Sequence, residues 1–197
     1  MDCYYKNLNE EELDLAAKNE WNFDGPESFD LDYCVEQLKQ LKQGKAIECP
    51  QYDFGTHQRM KNTKCIYGAN VIIFEGILVM TDERLRDMMD LKIFVDTDSD
   101  IRLARRIKRD LASRGRDLQN VIAQYNKFVK PSFEKYIYPL IKYADIVIPR
   151  GGENLVAVNL VTQQVVKQLD KVSWQKRNKM EKVFIHPKIW GFKILKF

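Results

Sequence analysis

Three short apolar runs constrain the fold of this 197-residue chain more than any other feature: 69–74 (ANVIIF), 91–95 (LKIFV) and 144–148 (ADIVI). Each is rich in β-branched residues and nearly continuous rather than alternating, which suits strands covered on both faces of a parallel sheet. Helical patterns lie between and after them, at 82–89, at 98–113 behind a D-S-D start, at 120–136, and at 154–169 behind a P-R-G-G turn. Strand–helix alternation at this spacing predicts an α/β fold. The first 60 residues differ. Segments 10–18 and 31–44 read as helices separated by the turn-rich NFDGPESF, and 51–59 (QYDFGTHQR) reads as a loop or short hairpin before a strand-like piece near 63–67.

Composition narrows the function classes. The formal charge of +4 is unevenly spread: residues 171–197 hold eight Lys/Arg against one acid, so this tail carries +7 and residues 1–170 sum to −3. The basic balance belongs to the tail, and neither nucleic acid nor a membrane is an expected partner. The expected organisation is one domain over 1–170 with a poorly ordered basic appendage over 171–197. Four scattered cysteines with no C-x-x-C pair, and only two histidines, argue against a structural zinc site and for reduced thiols in a cytosolic setting. The longest apolar run, 68–80, is interrupted by Glu75 and is too short to cross a bilayer.

Ligands of open parallel sheets sit at the carboxyl ends of the strands. There this chain places Glu75-Gly76, then Asp96, Asp98 and Asp100, then Pro149-Arg150-Gly151. A carboxylate at such an end can orient a hydrated magnesium ion, although chains leaving a core often carry an acid there anyway. In 102–116 (RLARRIKRDLASRGR), Leu103, Ile107 and Leu111 form one stripe and Arg102, Arg106 and Arg109 another. An R-G-R loop follows. Guanidinium groups suit two-point bonding to phosphate, and a solvated basic helix face is the plain alternative. Two further clusters, Trp21/Phe23/Asp24 and Tyr52/Phe54/His57, set flat rings beside one acid and one imidazole, as a site that stacks a base and bonds its sugar and edge would require. Asp24 beside Gly25-Pro26 is equally compatible with turn chemistry.

Read in order, DCYY, NFDGPESFD, YDFGTHQR, GANVIIFEGI, KIFVDTDSDIRLARRIKRD, RGRD, QYNKFVKP and ADIVIPRGGENLVAVNL resemble the uridine–cytidine kinase family of P-loop nucleoside kinases, closest to its kinase-like branch. The resemblance implies a three-layer P-loop kinase-type α/β fold, a parallel sheet with helices on both faces, whose N-terminal strands are missing from this chain. It implies ATP-dependent phosphorylation of the 5′-hydroxyl of uridine or cytidine to UMP or CMP in pyrimidine salvage, with ATP (or GTP) as co-substrate and Mg2+ as metal. In that reading Asp2 accepts the proton of the 5′-hydroxyl. Asp24 and Arg106 grip the ribose, Tyr52 and His57 read the pyrimidine edge, and Tyr5, Phe23 and Phe54 wall the base. Arg116 and Gln124 make further nucleoside contacts, Arg109 and Arg114 face the phosphates from a lid, and Glu75 stands near magnesium. Glu153 occupies a position near ATP where the family usually has aspartate. A homo-oligomer, or a hetero-oligomer with full-length relatives, in the cytoplasm or nucleus, is implied as well.

One departure is large. The family binds ATP through G-x-x-x-x-G-K-[ST], and these residues contain no such motif; Gly44-Lys45 lacks both the earlier glycine and the Ser/Thr. The expectation is a chain with the nucleoside half and the lid but no phosphate cradle, a truncated and catalytically impaired kinase. The alternative expectation is a non-catalytic short isoform that binds nucleoside or pairs with full-length subunits.

Overall fold

The structure, a computed structural model, describes residues 1–179, with side chains for all of these except Ser113, Arg114 and 171–179. Contacts divide the chain into two units, the first made of 1–94 and 98–147, the second of 95–97 and residues from 148 onward.

The first unit opens on a 3-10 turn, Asp2–Tyr4, and helix α1, Glu10–Ala17. A capping box starts α1: Asn9 Oδ1 accepts from the Glu12 N–H at 2.9 Å and Glu12 Oε2 from the Asn9 N–H at 2.8 Å. Helix α2, Leu31–Lys42, is capped by Asp30, whose carboxylate accepts from the Tyr33 N–H. Its apolar positions Cys34, Val35, Leu38 and Leu41 recur on one face and bury against Tyr4, Ile47, Cys49 and Leu85. Buried polar groups inside this core are paired. The Tyr4 hydroxyl donates to Gln37 Oε1 at 2.9 Å, and Gln37 Nε2 donates to the Glu48 carbonyl at 2.8 Å.

Strands β1, Ile47–Asp53, and β2, Gln58–Ile66, form an antiparallel hairpin, so the QYDFGTHQR stretch is its tip. The register is irregular between Pro50 and Tyr52, where proline offers no N–H to the ladder. Helix α3, Glu83–Met88, precedes β3, Ile93–Val95, and α4, Ser99–Arg114. Gly115, at φ +59°, ends α4 in the left-handed conformation that glycine adopts without strain. Strand β4, Ile146–Ile148, pairs with β3. The Lys92 carbonyl accepts from the Asp145 and Ile146 N–H groups, and the Asp96 N–H donates to Ile148. Both strands advance together along this ladder, so the pair is parallel, as the sequence predicts.

Three expectations change. Residues 69–74 form no strand, and Ile73 is 75% exposed; an extended apolar run becomes a strand only with a ladder partner, and none is present among the described residues. The helix expected over 120–136 is α5, Leu118–Gln124, continuing through wide π-helical turns at Tyr125–Val129 and Phe133–Ile137 around the short α6, Lys130–Ser132. Pro131 explains the widening, because its ring crowds the carbonyl four residues back and it cannot donate.

The second unit holds the 3-10 turn Gly151–Glu153 and helix α7, Leu155–Lys179, capped by Asn154 Oδ1 accepting from the Ala157 N–H. The helical pattern was expected to end at Leu169. It continues because residues 170–179 contain neither glycine nor proline. The expectation for the rest of the basic tail, 180–197, lies outside the described residues.

Candidate active site

The hairpin tip, the segment after Asp2, the NFD stretch and helices α4 and α5 converge in the first unit. At the tip, Asp53 Oδ1 accepts from the Gly55 N–H at 2.8 Å, and His57 turns the chain at φ +54°. This turn stacks the imidazole on the Phe23 ring at 4.6 Å between centroids. Tyr5 lies at the centre of the aromatic group, 5.2 Å from Tyr52, 6.1 Å from Phe54, 6.2 Å from Phe23 and 4.1 Å from Phe29. Arg59 holds Tyr5 in place: its Nε donates to the Tyr5 carbonyl at 2.9 Å, and its Nη2 pairs with Asp30 at 3.2 Å. The Tyr52 hydroxyl is buried with no hydrogen-bond partner among the described residues. An unpaired buried hydroxyl costs stability, so one retained beside stacked rings is suited to a ligand's edge. Burial pushes this phenol up to about 12, keeping it a donor at neutral pH.

The charged side of the site is built on α4. Asp110 is fully buried, and among the described side chains Arg109 Nε lies 2.8 Å, Arg116 Nη1 3.5 Å and Arg106 Nε 3.7 Å from its carboxylate. Gln124, from α5, accepts on one oxygen from Arg106 Nη2 at 2.7 Å and Arg116 Nη1 at 3.0 Å. Asp24 lies within the field of the same arginines. Burial pushes its carboxyl up, while Arg106, Arg109 and Arg116 pull it back down. Burial also lowers the His57 imidazole, with the Arg116 charge adding, so this ring is neutral at pH 7.

The remaining sequence-predicted residues fall elsewhere. Asp2 is exposed in the first turn. Glu75 is brought to it through Met1, whose amino group donates to the Glu75 carbonyl at 2.7 Å and lies 3.8 Å from its carboxylate. Gly76 permits this approach, since at φ +153° a Cβ would be both strained and driven into Met1. Arg114 ends α4, and its side chain lies outside the described ones. Glu153 belongs to the second unit. Two residues with clear positioning contacts were missed, Arg59 and Asp110. Both stand inside motifs quoted above, but a guanidinium aimed at a backbone carbonyl, or an acid shared by three arginines, has no local sequence signal.

The sequence model of the phosphoribulokinase / uridine kinase family matches residues 1–157. The chain belongs to that family. Among its relatives in the uridine kinase family, it is similar to uridine-cytidine kinase-like 1 of Mus musculus, at 54% identity over 87% of the chain and 31% of the relative. It is also similar to uridine-cytidine kinase A of Dictyostelium discoideum, at 52% identity over 84% of the chain and 32% of the relative. Uridine kinase-like protein 5 of Arabidopsis thaliana matches at 48% over 85% and 36%. The chain thus spans about a third of the length of these curated relatives. A crystal structure assigned as a fructose transport system kinase from Silicibacter sp. TM1040 superposes with a TM-score of 0.51 at 20% identity, covering 76% of this chain and 72% of that one. That likeness shows the fold, an α/β kinase fold. Among the described residues no helix is long and apolar enough to cross a membrane.

Proposed function

We propose that this chain carries the nucleoside-binding half and lid of a pyrimidine ribonucleoside kinase acting on uridine or cytidine. The observation that carries the reading is the unpartnered, buried Tyr52 hydroxyl set among Tyr5, Phe54 and the Phe23–His57 stack. Such rings are of the kind that stack on a pyrimidine, which would displace part of their present mutual packing, with the Tyr52 hydroxyl donating to a base carbonyl and the imidazole of His57 reading the same edge. Asp24, facing the Arg106 charge, accepts from the ribose hydroxyls. Arg116 and Gln124 extend this polar wall, and Arg109, with its side chain 42% exposed, remains accessible to a phosphate.

Asp2, exposed in the first turn three residues before Tyr5, takes the proton of the 5′-hydroxyl as general base. The half-exposed Glu75 carboxylate, 3.8 Å from the Met1 amino group that a cation there would displace, is the residue that would hold a hydrated magnesium ion, which keeps several waters and needs only one or two carboxylates. Bound there, the ion would neutralise charge developing on a transferred phosphoryl group. The 197 residues hold no G-x-x-x-x-G-K-[ST], so on their own they bind nucleoside without completing the transfer from ATP. Titration with uridine, cytidine and adenosine, followed by calorimetry, tests the reading. Saturable binding of both pyrimidines and weaker binding of adenosine is expected; equal binding of all three, or none, rejects it.

A further inference from the structure

The thiols of Cys3 and Cys49 face each other in the first unit, with sulfurs 3.4 Å apart and hydrogen-bonded. They come from segments 46 residues apart in sequence, the first turn and β1, so the fold and not chain proximity brings them together. Cys3 follows Asp2 directly and lies two residues before Tyr5, while Cys49 lies three residues before Tyr52. The pair therefore bridges the two backbone segments that line the aromatic group.

We propose that Cys3 and Cys49 are a redox-modification site, which a hydroperoxide converts into a reversible intramolecular disulfide. The sulfurs need to close from 3.4 Å to about 2.05 Å, a change within reach of side-chain rotation. Cys3 is half-buried, so a molecule little larger than water reaches the pair along its side, whereas Cys49 is 8% exposed and shielded from bulky reagents. Two thiols sharing one proton do not titrate alike. The hydrogen bond shared with Cys3 lowers Cys49 to about 6, and the thiol of Cys3 is raised in return. Lys64, the cross-strand partner of Cys49, adds a positive charge beside the thiolate.

The chemistry balances with one equivalent of hydrogen peroxide. The Cys49 thiolate attacks one peroxide oxygen, the O–O bond breaks, and Cys49 sulfenic acid and hydroxide result. The Cys3 sulfur then attacks the Cys49 sulfur; the S–S bond forms as the S–O bond breaks, and the departing hydroxide takes the Cys3 proton to leave as water. Two thiols lose two electrons, and peroxide gains them. The other cysteines differ in kind: Cys34 is fully buried and raised to about 12 by that burial, and Cys65 is exposed without a neighbouring thiol among the described residues.

Treatment of the whole chain with hydrogen peroxide, followed by alkylation and non-reducing peptide mapping, tests this. The expected result is a Cys3–Cys49 linked peptide about 2 Da lighter than its two thiol components, loss of two of the four alkylatable thiols, and full recovery on adding dithiothreitol. Cys65→Ser should leave the link intact, and Cys3→Ser should abolish it. Alkylation of both Cys3 and Cys49 after peroxide, or a sulfinic acid on either with no link, overturns the proposal. The decisive map is made on the unaltered chain and needs no ligand, so neither a misfolded variant nor a failed nucleoside titration alters its outcome.

Discussion

Tyr52 separates stability from function at a single atom. Its hydroxyl is buried without a partner among the described residues, and folding therefore leaves a desolvated donor uncompensated there. Tyr52→Phe removes that donor and keeps the ring contacts with Tyr5 and Phe54. The variant is expected to match or exceed the parent in thermal midpoint while binding uridine about tenfold more weakly. A loss of stability together with unchanged affinity would mean that the hydroxyl serves the fold and not the ligand. At this scale the sequence was informative where identity alone mattered. The rings of Phe23, Tyr52, Phe54 and His57 could be singled out because their types suit a base, while Tyr5 entered only through the family resemblance. What no residue type discloses is satisfaction: that Tyr4, one position from Tyr5, has its hydroxyl paired with Gln37 while that of Tyr52 has no partner.

Helix α4 carries the charged wall, and Asp110 organises it. Three guanidinium groups around one fully buried carboxylate would repel each other without it. Asp110→Asn preserves shape and removes the charge. The expected cost is about 3 kcal/mol, at the lower end for a buried pair because Arg109 and Arg116 retain access to water. A urea unfolding series measures it, and a midpoint shift near zero would show the cluster to be incidental. Helices α1, α2, α4 and α7 were legible because caps and periodicity are local. The wide turns around Pro131 were not, since the apolar period runs through them unchanged while the backbone spacing does not. Residues 69–74 were misread for a related reason. A β-branched run states what it would do beside a partner strand, and pairing is a property of the neighbours.

At the scale of the whole molecule, the chain matches one family's sequence model over residues 1–157 and spans about a third of the length of the curated relatives. Its first unit contains every proposed nucleoside contact, from Tyr5 to Gln124, and Glu153 stands in the second. The proposed function therefore rests on the first unit, as a ribonucleoside site whose polar wall reads the sugar and whose rings read the base. The most direct test compares uridine with 2′-deoxyuridine by calorimetric titration, in the unaltered chain and in Asp24→Asn. The unaltered chain is expected to prefer uridine by roughly tenfold or more, the value of a hydrogen bond between a hydroxyl and a carboxylate, and the substitution to erase the preference. Equal affinity for the two nucleosides in the unaltered chain, or a preference that survives in Asp24→Asn, would contradict it.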